Sequence, residues 1–130
     1  MKTIADKLGF KSGKRAWMVN APENLSAIIG LPVVRPEGDI DLLLGFAIDQ
    51  AALETVCDRV LPIYKRGGSL WFAHPKKSGS IRSDLSRDAG WQRLTAAGLI
   101  PVTQIALDDD WSALRFRYRD EVKNITRKEG

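Results

Sequence analysis

His74, Lys76 and Lys77 are the residues of this 130-residue chain best suited to chemistry, because they fall within four positions of one another. His74 is the only histidine, and an imidazole titrates near neutrality, so it is the natural acid–base candidate. Two lysines beside it offer compact cations that can hold a phosphate or a carboxylate; the competing reading is a solvated loop shaped by Pro75. Cys57 is the only cysteine, which excludes an internal disulfide and, with one histidine, a His/Cys zinc cage. It falls on an apolar helix stripe, where a buried, inert thiol is expected, so no Cys57/His74 catalytic pair is assigned. Asp108-Asp109-Asp110 offers oxygen ligands for a hard cation, but consecutive carboxylates diverge, and a turn in which Asp bonds nearby backbone is the better expectation. Trp111 beside it is expected to cover the sheet edge. Arg115, Arg117 and Arg119 alternate with Phe116 and Tyr118, placing three guanidiniums on one strand face. That row is either a phosphate or partner patch or a structural surface, and the second is favoured. Gly9 to Arg15 superficially suggests a phosphate loop; its spacing is one residue short, and it precedes a strand.

The elements that position these residues alternate between strand and helix. A helical turn over Thr3 to Leu8 precedes an apolar strand, Ala16 to Val19, closed by Asn20-Ala21-Pro22. A helix bearing Leu25, Ile28 and Ile29 ends near Gly30, and Leu31 to Val34 reads as a short strand. Ile40 to Phe46 is a buried strand. Asp49 caps a helix on which Leu53, Val56, Cys57, Val60, Leu61 and Tyr64 form one stripe, and Pro62 should kink or end it. Ser69 to Ala73 returns as a strand, and a helix is expected between Ser86 and Ala97, with Trp91 and Leu94 inward and Gly98 as cap. Pro101 to Leu107 and Ser112 to Tyr118, joined by four residues, form an antiparallel hairpin. The expectation is a three-layer Rossmann-like α/β domain over residues 1–119, with a mainly parallel sheet of five or six strands, followed by a charged tail over 120–130. Open parallel sheets bind ligands outside the carboxyl ends of their strands, so that edge is where a site belongs. Its candidate residues are Asn20, His74, Lys76, Lys77, Asp84, Asp108 and Trp111, with Asp49 on the same edge.

The order of strand, helix, Gly-Gly, strand, helix, Ala-Gly-Leu and hairpin resembles the C-terminal half of class I methyltransferase-type Rossmann domains. Lys7-Leu8-Gly9, Gly67-Gly68-Ser69-Leu70-Trp71, Pro75-Lys76, Ser83-Asp84, Ala97-Gly98-Leu99 and Trp111-Ser112 resemble a small bacterial family without an assigned activity, the DUF 3052 type. The methyltransferase resemblance implies adenosylmethionine as a cofactor. The residues disfavour it: Val19-Asn20-Ala21-Pro22-Glu23 lacks the glycine turn, and the strand ending at Val34-Arg35-Pro36 lacks the acid that should meet the ribose, Glu37 coming later.

Composition sets the remaining bounds. Hydrophobic residues make up 44%, enough for a core, and the formal charge is +4. The charge is segmented: residues 1–15 carry five basic groups and one acid, 16–58 one and seven, 59–93 eight and two, 94–111 none and three, and the remainder six and three. Alternating blocks suit charges spread around one domain more than a nucleic-acid face. No apolar run approaches the roughly 20 residues of a membrane helix, and no secretion signal is seen, which points to a cytoplasmic domain without a membrane partner. The reading is a non-enzymatic binding or regulatory module that takes a small anion or a protein at its strand ends, with no catalytic residue or metal assigned. A divergent adenosylmethionine-dependent methyltransferase and a nucleic-acid accessory protein are the alternatives.

Overall fold

The computed structural model describes residues 3–10, 14–29, 40–65, 67–86 and 89–121. Thr3 opens helix α1 (Ile4–Leu8) with a reciprocal cap: its side chain accepts from the Asp6 amide while Asp6 answers the Thr3 amide. Strand β1 (Ala16–Val19) follows, then α2 (Glu23–Ile29), whose Leu25 and Ile29 are buried. The expected strand over Leu31 to Val34, the helix end at Gly30 and the residues Arg35, Pro36 and Glu37 lie outside the described residues, as does the Ile28 side chain.

Strand β2 (Leu42–Phe46) is buried throughout, and it leads to α3 (Gln50–Val60). The Asp49 carboxylate accepts the Ala52 amide at 2.8 Å, and Leu53, Val56, Cys57 and Val60 turn inward. The helix stops at Val60, ahead of Pro62, as a ring without an N–H requires. Gly45 lets α3 lie against the sheet: a Cβ there would run into Val56 Cγ1. Strand β3 (Ser69–Pro75) then crosses the sheet centre.

The helix expected over Ser86 to Ala97 is shorter than its pattern implied. Residues 87 and 88 are outside the description; α4 spans Gln92–Ala96, and Ser86 pairs with Ala89 as an isolated bridge. Gly90, at φ +99°, takes a left-handed backbone that breaks the helical path, and the Trp91 indole donates to the Ser86 carbonyl at 2.7 Å. Trp91 and Leu94 still point into the core. The hairpin follows as β4 (Leu99–Ala106) and β5 (Trp111–Tyr118), with a 3₁₀ turn over Arg119–Glu121.

The five strands run in the order β1-β2-β3-β5-β4. The first three are parallel, β5 is antiparallel to β3, and β4 forms an edge antiparallel to β5. Both faces of the sheet are covered. Trp17, Leu43, Leu70, Phe72, Leu114 and Phe116 meet α3 and α4 on one side, while Leu42, Leu44, Trp71, Ala73 and Ala113 meet α1 and α2 on the other. Each buried Leu or Phe contributes roughly 1.5–3 kcal/mol, so strands apolar on both faces hold this fold together. No described helix is long and apolar enough to cross a membrane.

Candidate functional site at the strand ends

Parallel strands bring their carboxyl ends to one edge, and the antiparallel register places the start of β5 and the end of β4 beside the end of β3. His74 lies opposite Ser112, and Ser112 opposite Ala106. An open cleft of about 1050 Å³ lies there, lined by His74, Lys76, Lys77, Ser112, Gln104 and Ala106, among others.

His74 is 2% exposed and meets the Trp91 indole edge-on, ring centroids 5.6 Å apart. Its Nδ1 lies 3.1 Å from the Pro75 carbonyl, an acceptor, so Nδ1 carries the proton and Nε2 is left with a lone pair. Nε2 is buried and has no hydrogen-bond partner among the described residues. Burial lowers the His74 pKa, only partly offset by the bond to Pro75, and so keeps the ring neutral at physiological pH.

Lys76 and Lys77 leave the sheet on a loop that the β4–β5 turn holds in place. The Lys76 amide donates to the Asp110 carbonyl at 2.8 Å. The Ser80 amide and hydroxyl donate to Asp110 Oδ1 at 2.7 and 2.9 Å, and these bonds hold the Asp110 carboxyl below its usual range. Gly79 permits the contact, since a Cβ there would lie 2.8 Å from Asp110 Oδ1 and 2.9 Å from its Cα. At its far end the loop is tied to α3: Asp84 Oδ1 accepts the Gln50 amide at 2.8 Å. Asp49 and Asp84 together therefore satisfy two of the orphan amides of that helix N-terminus.

Of the residues the sequence pointed to, His74, Lys76 and Lys77 meet in the cleft. Asp108 accepts the Asp110 and Trp111 amides at 2.8 Å each and serves the turn. Trp111 is buried, edge-on to Phe46 at 5.4 Å. Asn20 follows β1, two strands from His74, with φ +62°. No group of three metal-ligating side chains converges among the described residues. Cys57 is fully buried, and burial pushes its thiol up to about 12, so it is no nucleophile at neutral pH.

The arginine row holds two residues on the strand where three were expected: Arg119 falls in the 3₁₀ turn, because β5 ends at Tyr118. Arg115 is half-buried with its Nε unpartnered among the described residues, and burial, then Arg117, lowers its pKa. Of the expected tail, Asp120 and Glu121 belong to this turn, and residues 122–130 lie outside the description. Ser112, Gln104, Arg82 and Glu121 are not among the site candidates that the sequence offers. The hairpin register could have signalled Ser112; nothing local marks the others.

No protein-family model matches the chain, and no curated protein does. Solved structures are similar in fold. A Streptococcus agalactiae protein of the NADB-Rossmann superfamily superposes with a TM-score of 0.51 at 8% identity, over 91% of this chain and 68% of that one. LepI C52A, in complex with SAH and a substrate analogue, gives 0.50 at 13% identity, over 89% of this chain and 39% of its own length. The chain thus spans well under half of LepI. The class defined by the sheet order and these likenesses is a Rossmann-type, methyltransferase-like α/β fold.

Proposed function

We propose that the protein is a small-molecule binding module that holds an anionic ligand in the cleft at the ends of β3, β4 and β5. One observation carries this reading: two lysines and a buried, neutral histidine line an open cleft at the edge where parallel sheets bind ligands. Binding is favoured over nucleophilic catalysis because, among the described residues, His74 has no hydrogen-bonded nucleophile beside it and Cys57 stays protonated. A thermal-shift panel of phosphates, nucleotides and carboxylates tests it. Stabilisation by one class of anion, diminished in Lys76→Ala, is expected; no response from any anion rejects the reading.

A second reading, a divergent adenosylmethionine-binding domain, is favoured by Asn20. Its φ of +62° supplies, without glycine, the left-handed bend that the first turn needs. LepI, of similar fold, is a complex with SAH. Against this reading, Asp49 and Asp84 already take amides at the α3 N-terminus, on the same edge. Calorimetry with adenosylmethionine and its demethylated product separates the two readings: heat that Asn20→Pro abolishes and Lys76→Ala leaves intact would favour the second.

A further inference from the structure

The lysine pair has two sides. On one lies the large cleft over His74. On the other, Lys76 and Lys77 join Arg82 around a second hollow of about 550 Å³, walled by their own loop. That loop is held by backbone and hydroxyl bonds to Asp110 and by the bond of Asp84 to α3, with no ammonium or guanidinium used in the fastening among the described residues. Among the described residues neither Lys77 nor Arg82 has a carboxylate within ion-pair distance, and Asp110 acts on Lys76 only weakly beside its bonds to Ser80.

Three cations around one hollow, with little counter-charge, favour a dianion over a singly charged group. A phosphoryl group carries −1.5 to −2 near neutrality, with three acceptor oxygens, and a guanidinium fork matches two of them. The adjoining cleft is different in kind: Ala89, Ile105 and Ala106 line it with the uncharged face of His74, and Gln104 and Ser112 add neutral polarity. We propose that the Lys76/Lys77/Arg82 hollow seats the phosphoryl group of a phosphomonoester whose uncharged organic body lies in the His74 cleft. This deepens the anion-binding reading and rests on it. Arg82 becomes the residue whose fork holds two of the phosphoryl oxygens.

Calorimetry on the full chain tests it with glycerol phosphate, glucose 6-phosphate and adenosine monophosphate, their dephosphorylated counterparts, inorganic phosphate and citrate. At least one ester is expected to bind about tenfold more tightly than inorganic phosphate or its own alcohol. Arg82→Ala, an exposed position, should weaken that ester and inorganic phosphate about tenfold and leave the alcohol unchanged. Ala106→Trp, on the exposed edge strand, should fill the cleft and reduce the ester to the level of inorganic phosphate. Esters no tighter than inorganic phosphate, or an unaltered Arg82→Ala, overturn the inference. If citrate binds as well as the esters and depends on Lys76 and Lys77 but not on Arg82, the inference falls while the anion-binding reading stands. Silence from every anion removes both.

Discussion

A carboxylate fastens each end of the sheet, and the two ends treat their neighbours differently. At the amino end of β3, Glu121 accepts the Tyr118 amide at 2.9 Å, the Gly67 amide at 2.9 Å and the Tyr64 hydroxyl at 3.2 Å. Burial raises its pKa, but these three donors, with Arg117, outweigh burial and hold the carboxyl below its usual range. Burial and Glu121 together push the Tyr64 hydroxyl up to about 12. That end answers its charge internally. At the carboxyl end Asp110 is satisfied mainly by a backbone amide and a serine hydroxyl, so the adjacent cations keep their charge available. Both ends need a carboxylate to hold loops, and among the described residues the three cations Lys76, Lys77 and Arg82 share one hollow at the carboxyl end.

Breaking the amino-end fastening should have the largest effect on stability. Glu121→Ala leaves three donors without their acceptor and is expected to cost about 1–3 kcal/mol by urea unfolding, with anion binding unchanged. The double variant Lys76→Ala, Lys77→Ala should do the reverse, weakening the anion about tenfold in calorimetry while the unfolding midpoint stays put. A smaller effect sharpens the role of Asp110. Asp110→Ala removes the acceptor for Ser80 and should weaken the anion less than loss of the lysines does, whereas Asp110→Asn keeps an acceptor oxygen and should bind as well as the parent. Equal losses in both variants would show that the tie to Ser80 needs a charged acceptor.

The smallest effect is one of pH. Burial lowers the His74 pKa in the folded chain from its ordinary 6.5, so the unfolded chain binds the extra proton first as pH falls below about 6.5. Stability should decline through that window, above the range where Asp110 and Glu121 take up protons. His74→Phe should flatten the decline in denaturant midpoints between pH 7.5 and 5. A slope that persists in the variant assigns it to another group.

Several features were legible because their causes are local. Asp49 caps α3 because a carboxylate two to three residues ahead of free amides satisfies them in almost any context, and the stripe from Leu53 to Val60 follows from helical spacing alone. The four-residue link allowed only a hairpin between β4 and β5. The helix from Ser86 failed where a local pattern met a non-local demand: Gly90 takes a left-handed backbone against Gln50 of α3, where a Cβ would stand 3.1 Å from Cγ. Arg82 was missed for the same reason, since the path that brings it toward Lys76 is set by Asp110, 28 positions away by the numbering.

The chain by itself determined an alternating α/β order, both faces of its strands apolar, and a basic turn after the central strand, because hydrophobic period, caps and turn residues act over a few positions. Tertiary structure alone decided that His74 is buried opposite Ser112 with a lone pair unpartnered among the described residues, that Asp84 serves the α3 backbone, and that Lys76, Lys77 and Arg82 surround one hollow. Strand register and loop anchoring depend on contacts between distant residues, and burial, which sets whether a charge is answered or left free, exists only once those contacts have formed.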